Sequence, residues 1–302
     1  ALIIDPLSGN VTTTTAIAVP VGKVANVSLR GDSASTNNAT FLVGNTAAIG
    51  VEAAVDTTSG KFGTLAVEFA TADTAPLLVT MVGAIADTGT TALTVGSATT
   101  GGNVSFTRTA AFVATSVSVV GGDHADEDST ATFTDAVTVT SMTLDDNTGD
   151  AKLVFSVTGT DTIAGTIDAA TAGEGTVQVT GATKTFSGII GATSIGTLDI
   201  DNTAVFSASA SATNILIADG KTATFNGAAV TGATTLGSST AGGTMAFAGS
   251  VAQTVTGSLA SFDTDKKGTI TSNNSHASGV TITGDVGTSA LSIALLTGTQ
   301  HT

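Results

Sequence analysis

The stretch KTFSGIIGATSIGTLDI (residues 184–200) is echoed by TATFNGAAVTGATTL (residues 222–236), MAFAGSVAQTVTGSL (residues 245–259) and, earlier, TATFTDAVTVTSMTL (residues 130–144). Each copy opens near a phenylalanine, passes an aliphatic residue and comes to a leucine: Phe133…Val137…Leu144, Phe186…Ile190…Leu198, Phe225…Val230…Leu236 and Phe247…Val251…Leu259. With Phe155 and Phe206 included, the phenylalanines recur steadily from Phe133 to Phe247, with one long gap between Phe155 and Phe186. Val, Thr and Phe favour extended backbone, and Gly, Asn and Asp turn it, so each copy reads as two or three short strands with corners between them. A period of about 20 residues is what one coil of a parallel β-helix takes, because a single coil cannot bury its apolar face until the next coil stacks on it. The expectation for residues 130–302 is some eight coils at ~4.8 Å each, about 40 Å in all. Phe, Val, Ile and Leu would point inward and Thr and Ser outward.

Residues 1–122 lack that rhythm. Val11–Val19, Lys23–Leu29, Thr64–Phe69, Leu77–Val82, Asn103–Phe106 and Thr115–Val120 are strand-like, but their spacing is irregular. An antiparallel β-sandwich is therefore expected for the N-terminal part, with sandwiches throughout as the alternative to a solenoid. GGDHADEDS (residues 121–129) is the densest acidic stretch and separates the two regimes. The organisation expected is an N-terminal β domain over 1–122, an acidic loop or linker over 123–129 and a repeat-containing β domain over 130–302. Helical periodicity is confined to two short candidates, residues 69–75 and 291–296.

Composition excludes several functions. The net charge of −15 removes the electrostatic basis for gripping phosphates, so no nucleic-acid partner is expected. There is no Cys, hence no disulfide or thiolate metal site, and no Trp or Tyr to stack on sugars. The longest apolar runs fall far short of the roughly 20 residues that span a bilayer. Absence of Cys, few Lys and a start at Ala1-Leu2-Ile3 suit a chain exposed outside the cell after removal of a leader.

The four quoted units resemble the passenger repeats of bacterial autotransporters, above all the large rickettsial-type surface-layer antigens, over residues 130–290. The resemblance lies in composition and period. It implies a β-helical, exported, non-enzymatic coat or adhesin protein. The sequence departs from that pattern in lacking a terminal membrane barrel with aromatic girdles.

Residues able to do chemistry are few. His124, His276 and His301 lie in an acidic loop, a polar turn and the last residues, without a second His at ligand spacing or a Gly-x-Ser-x-Gly elbow, so no enzyme activity is expected. Paired carboxylates such as Asp145 and Asp146 lack the aromatic platforms that accompany sugar hydrolysis. Four acidic loops are candidate Ca²⁺ sites, since a hard cation seeks several oxygens on a flexible loop. They comprise Asp123, Asp126, Glu127 and Asp128; Asp145, Asp146, Asn147 and Asp150; Asp199, Asp201 and Asn202; and Asp263 with Asp265. Against this, Asp and Asn also occupy turns for purely local reasons. The Thr-x-Thr pairs, such as Thr138 and Thr140, drift out of the strict register an ice-binding face needs. The segment 290–296 reads as a last buried strand, or as a strand donated to a neighbouring subunit.

The expected role is an extracellular, cell-surface structural protein that forms a homo-oligomer or polymer, as a surface layer, sheath or filament, with Ca²⁺ screening its acidic loops. The alternative is an adhesin or autotransporter-type passenger that presents loops to a cell-envelope or host surface. Interface hot spots are typically Trp, Tyr and Arg, and this chain has only Arg30 and Arg108 to offer.

Overall fold

The computed structural model describes residues 2–4, 26–29, 39–45, 49–51, 54–57, 62–69, 78–81, 85–87, 90–107, 111–157, 159–238, 240–262, 268–287 and 291–295. Regular structure in these residues is entirely β, and the strands pair in parallel as a β-solenoid. No helix among them is long and apolar enough to cross a membrane. The strand read over 11–19 lies outside the described residues, as do residues 70–75 of the helix considered for 69–75, whose first residue, Phe69, ends the strand Phe62–Phe69. The chain divides into two compact units, Ala1–Val154 and Phe155–Thr302.

In the second unit, one face stacks residues 161–163, Lys184–Phe186, Ala204–Phe206, Thr222–Phe225, Thr244–Phe247, Gly268–Ser272 and Leu291–Leu295. The chain returns to this face after a short coil, from Ala204 to Ala223 at the tightest and from Thr244 to Thr269 at the widest. Phe186, Phe206, Phe225 and Phe247 occupy one inward position on four consecutive rungs. All four are buried. Ring centroids are 5.2 Å apart between Phe186 and Phe206 and 4.9 Å between Phe206 and Phe225, with interplanar angles of 9° and 13°. Burying one such ring is worth about 2–3 kcal/mol, and stacking adds roughly 1 kcal/mol more. The ladder thus fixes the register of every coil it crosses.

The long gap between Phe155 and Phe186 also has its explanation here. Ile163 fills the phenylalanine slot on the rung paired with Phe186, and Phe155 meets Phe186 edge-on at 5.3 Å. A second inward column runs Ile190, Ala210, Val230, Val255. The sequence repeat assigns its fourth place to Val251. Instead the strand begins only at Gln253, so Val251 lies exposed at the corner and Val255 takes the buried place. Corners are tight enough to demand glycine. Gly232 (φ 145°) and Gly257 (φ 120°) adopt backbone that L side chains avoid, and a Cβ on Gly257 would run into the Gly232 carbonyl one rung away. Leu291–Leu295 pairs with Gly268–Ser272 as another rung, so residues 291–295 of the helix considered for 291–296 form a strand.

The first unit is also a parallel solenoid, which corrects the sandwich expected for residues 1–122. One sheet orders Leu2–Ile4, Asn26–Leu29, Ala54–Thr57 and Ile85–Asp87. A second face stacks Ala39–Asn45, Phe62–Phe69, Thr90–Val95, Ser116–Val120 and residues 141–145. A third stacks Ile49–Val51, Leu78–Met81, Asn103–Phe106 and Ser129–Phe133. The returns run from Ala39 to Gly63 on one face and from Ile49 to Val79 on another. A return of that length lets strands pair in parallel, which no tight hairpin allows. The core columns Leu65, Leu93, Val117, Met142 and Val67, Val95, Val119, Leu144 are buried throughout. Phe106 stacks on Phe133 at 5.2 Å, and Phe112 meets both rings at 4.9 Å, tilted by 57° and 63°.

Candidate functional site

Two places gather charged side chains around a shaped surface. The first is a corner of the first unit, where residues 96–102, 121–129 and 145–150 follow one another coil upon coil. Strands Thr90–Val95, Ser116–Val120 and Val137–Asp145 end there in register, which delivers the loops to the same edge. Thr148 and Gly149 both donate backbone N–H to Gly122 O, at 3.1 and 3.0 Å, and Asn147 Nδ2 reaches Ala98 O at 3.0 Å. The acidic segment 123–129 is thus a loop folded within this unit. It closes on itself: Glu127 Oε2 accepts from His124 N at 3.1 Å, and Glu127 N donates to His124 O at 3.1 Å. Glu127 is fully buried, fitted against Gly122, where a Cβ would collide with its side chain.

Two of the four predicted acidic loops therefore meet at this edge. Asp128 Oδ1 accepts from Asp150 N at 2.9 Å, and Asp146 Oδ1 accepts from Ala151 N at 2.7 Å. Loss of solvent, and then the nearby charges of Asp128 and Asp146, push the Asp150 carboxyl above its ordinary value. Asp123 and Asp126 remain exposed. Among the described residues, no group of three or more His, Asp or Glu side chains is placed to hold a metal ion. Asp128 and Asp146, two of the candidate calcium ligands, each accept a main-chain N–H group at a turn. Asp263 and Asp265 lie outside the described residues.

The second place is on the second unit. Asp199, Leu216 and Thr235 sit side by side on successive rungs, their side chains facing outward. With Asp201, Ala218, Gly237 and Phe262 they line a cleft of about 200 Å³. Gln178 Nε2 donates to Asp201 Oδ2 at 2.6 Å and to Asp199 Oδ2 at 3.3 Å, which holds the two carboxylates together at the rim. Phe262 is 57% exposed and Leu216 39%. The sequence singled out the two aspartates as candidate cation ligands. It missed the apolar wall because Leu216 and Phe262 resemble core residues until their outward register is known.

Other polar residues serve the fold. Asp219 receives Ser238 N at 2.6 Å and Thr240 N at 2.7 Å, a role signalled by its Asp-Gly turn. Asn274 Nδ2 donates to Gln253 Oε1 at 2.6 Å, and Gln253 Nε2 to Phe225 O at 2.8 Å, forming a buried polar column that sequence reasoning passed over. Lys184, fully buried, donates from Nζ to Ala182 O at 2.8 Å and Gly159 O at 3.2 Å. Burial lowers its pKa, and the charge of Asp161 opposes that shift. His276 Nδ1 accepts from Ser278 N at 3.0 Å, and His301 lies outside the described residues.

No protein-family model, no curated protein and no solved structure matches the chain.

Proposed function

We propose that this chain is a non-enzymatic, extracellular structural protein whose copies associate into a layer, sheath or filament, with Ca²⁺ or another divalent cation screening or bridging its acidic loops. The observation that carries the reading is the in-register phenylalanine ladder from Phe186 to Phe247. A ladder of this kind makes a stiff body whose outer surface repeats at every rung. The outward row Thr185, Val205, Thr224, Ala246 and Thr271 presents small side chains at that repeat, and small side chains let neighbouring backbones approach closely. Periodic faces add many weak contacts in register, the requirement for an extended assembly. A charge of −15 opposes such contact at low ionic strength, so association should strengthen as salt or divalent cations rise. Sedimentation velocity over a wide concentration range, in low salt, roughly physiological salt and millimolar Ca²⁺, tests this. Large species that grow with concentration and salt are expected. A monomer under every condition rejects the reading.

A further inference from the structure

The turn from Asn274 to Gly279 is closed by hydrogen bonds that converge on one titratable ring. Ser275 N donates to Gly249 O at 3.1 Å and Asn274 Nδ2 to Val251 O at 2.8 Å, which seats the turn on the corner of the preceding coil. Asn274 Oδ1 accepts from His276 N at 2.7 Å, and His276 Nδ1 accepts from Ser278 N at 3.0 Å. Gly279 N donates to His276 O at 2.9 Å, and Gly279 itself, at φ 61°, finishes the reversal. Gly279 O then accepts from Gln253 N at 3.1 Å, and Val280–Ile282 runs on as a strand paired with residues 253–255. The imidazole thus holds the turn that docks this strand. Asn274 and Gly279 are buried, while the ring is only partly covered and Ser278 is exposed, so protons from solvent reach Nδ1.

We propose that His276 is a pH-sensitive clasp, which locks the turn when the ring is neutral and releases the docked strand when the ring is protonated. A backbone N–H can only donate, so the bond from Ser278 N requires Nδ1 without a hydrogen and the ring proton on Nε2. Protonation places a hydrogen on Nδ1, and two donors then face each other across the same gap. The ring swings away, Ser278 N loses its acceptor and the turn opens more often. Histidine is the side chain whose ordinary charge change falls between about pH 5 and 8, so the clasp responds in that interval. Residues 225–236 and 247–256, on which this turn and its strand stack, contain no acidic or basic side chain and no second histidine. The same holds for Gly268–Ser272 and Val280–Ile282. Release frees one edge of Gln253–Thr256, whose other edge stays paired with Ala229–Thr231, and a freed edge is a template for another strand. Every group in the clasp belongs to one chain, so it acts whether or not copies associate.

Amide hydrogen exchange of the ¹⁵N-labelled full chain at about pH 7.5 and about pH 5.5, on either side of the ordinary histidine transition, tests this. Each rate is divided by the intrinsic rate for its sequence and pH. Protection of Ser278 and Gln253 should fall roughly fivefold at the lower pH, as expected for one lost hydrogen bond. The midpoint should match titration of the His276 Cε1–H signal. Asn226, whose N–H donates to Phe206 O at a different corner, should not change. His276→Asn offers a side-chain oxygen to the N–H two residues on and does not titrate, so protection should stay high at both pH values. His276→Ala should be poorly protected at both. His124→Asn and His301→Asn should leave the step in place. Equal protection of the unaltered chain at the two pH values would overturn the proposal. So would a step that survives in His276→Asn or vanishes in His124→Asn or His301→Asn, or full protection of His276→Ala.

Discussion

The two units are built on one plan but held in different ways. The second repeats a compact coil, as from Lys184 to Ala204 and on to Ala223, and is pinned by like rings stacked on consecutive rungs. The first spends more chain on some of its coils, as from Ile49 to Val79. A share of its longer corners is devoted to main-chain and carboxylate hydrogen bonds among loops 96–102, 121–129 and 145–150. A solenoid thus needs neither a constant period nor a single kind of ladder. Parallel pairing and a continuous inward column are enough, and corners absorb the variation.

The sharpest way to break this contrast is Phe206→Ala, in the middle of the ladder with a stacked ring on each side. It should lower unfolding free energy by about 3–5 kcal/mol in urea denaturation followed by circular dichroism. A loss below roughly 1 kcal/mol would show that the rings do not carry the second unit. Next comes the glycine corner. Gly257→Ala puts a Cβ against the Gly232 carbonyl at φ 120° and should cost about 1–3 kcal/mol. Gly220→Ala, at φ 65° with open space around it, should cost only about 1 kcal/mol. Equal losses at the two sites would remove steric crowding as the reason for glycine at the corner.

A gain is expected at Thr234. Its Oγ1 is buried without a hydrogen-bond partner, in the apolar column that contains Leu198, Ile215 and Leu259. Thr234→Val removes that hydroxyl at nearly constant shape and should stabilise the chain by about 1 kcal/mol, read as a raised urea midpoint. The smallest effect belongs to the acidic corner. Asp150 is raised above its ordinary value in the folded chain, so the folded state holds its proton more tightly than the unfolded state does. Its contribution is therefore favourable at pH below the ordinary carboxylate value and is lost as pH rises through the raised one. Asp150→Asn should raise Tm on the order of a degree at pH 7 and leave it unchanged near pH 3. A higher Tm at pH 3 alone would reverse the sign and contradict the placement of Asp128 and Asp146 around it.

The sequence made the second unit legible because its phenylalanines are scarce and those from Phe186 to Phe247 each mark a rung. Where Ile163 replaces the ring, the interval from Phe155 to Phe186 stretches and the repeat blurs, yet the rung persists. Residues 1–122 of the first unit stayed hidden because Val and Leu fill their columns and alternate with Thr and Ser as they would in a sandwich. Only the distant pairing partners, such as Ala39 with Gly63 and Ile49 with Val79, distinguish the two architectures. Asp128 and Asp146 were visible as loop carboxylates, but the main-chain N–H groups they accept depend on how distant loops meet, which the sequence does not display. The cleft was half legible, through Asp199 and Asp201, while Leu216 and Phe262 needed the register to reveal that they face outward.

The central claim, a periodic body whose copies associate, is tested most directly by negative-stain electron microscopy of the purified full chain at rising concentration, in millimolar Ca²⁺ and again in EDTA. Sheets, tubes or filaments are the expected result, more extensive with Ca²⁺ than with EDTA. Isolated particles in both conditions at every concentration would contradict it.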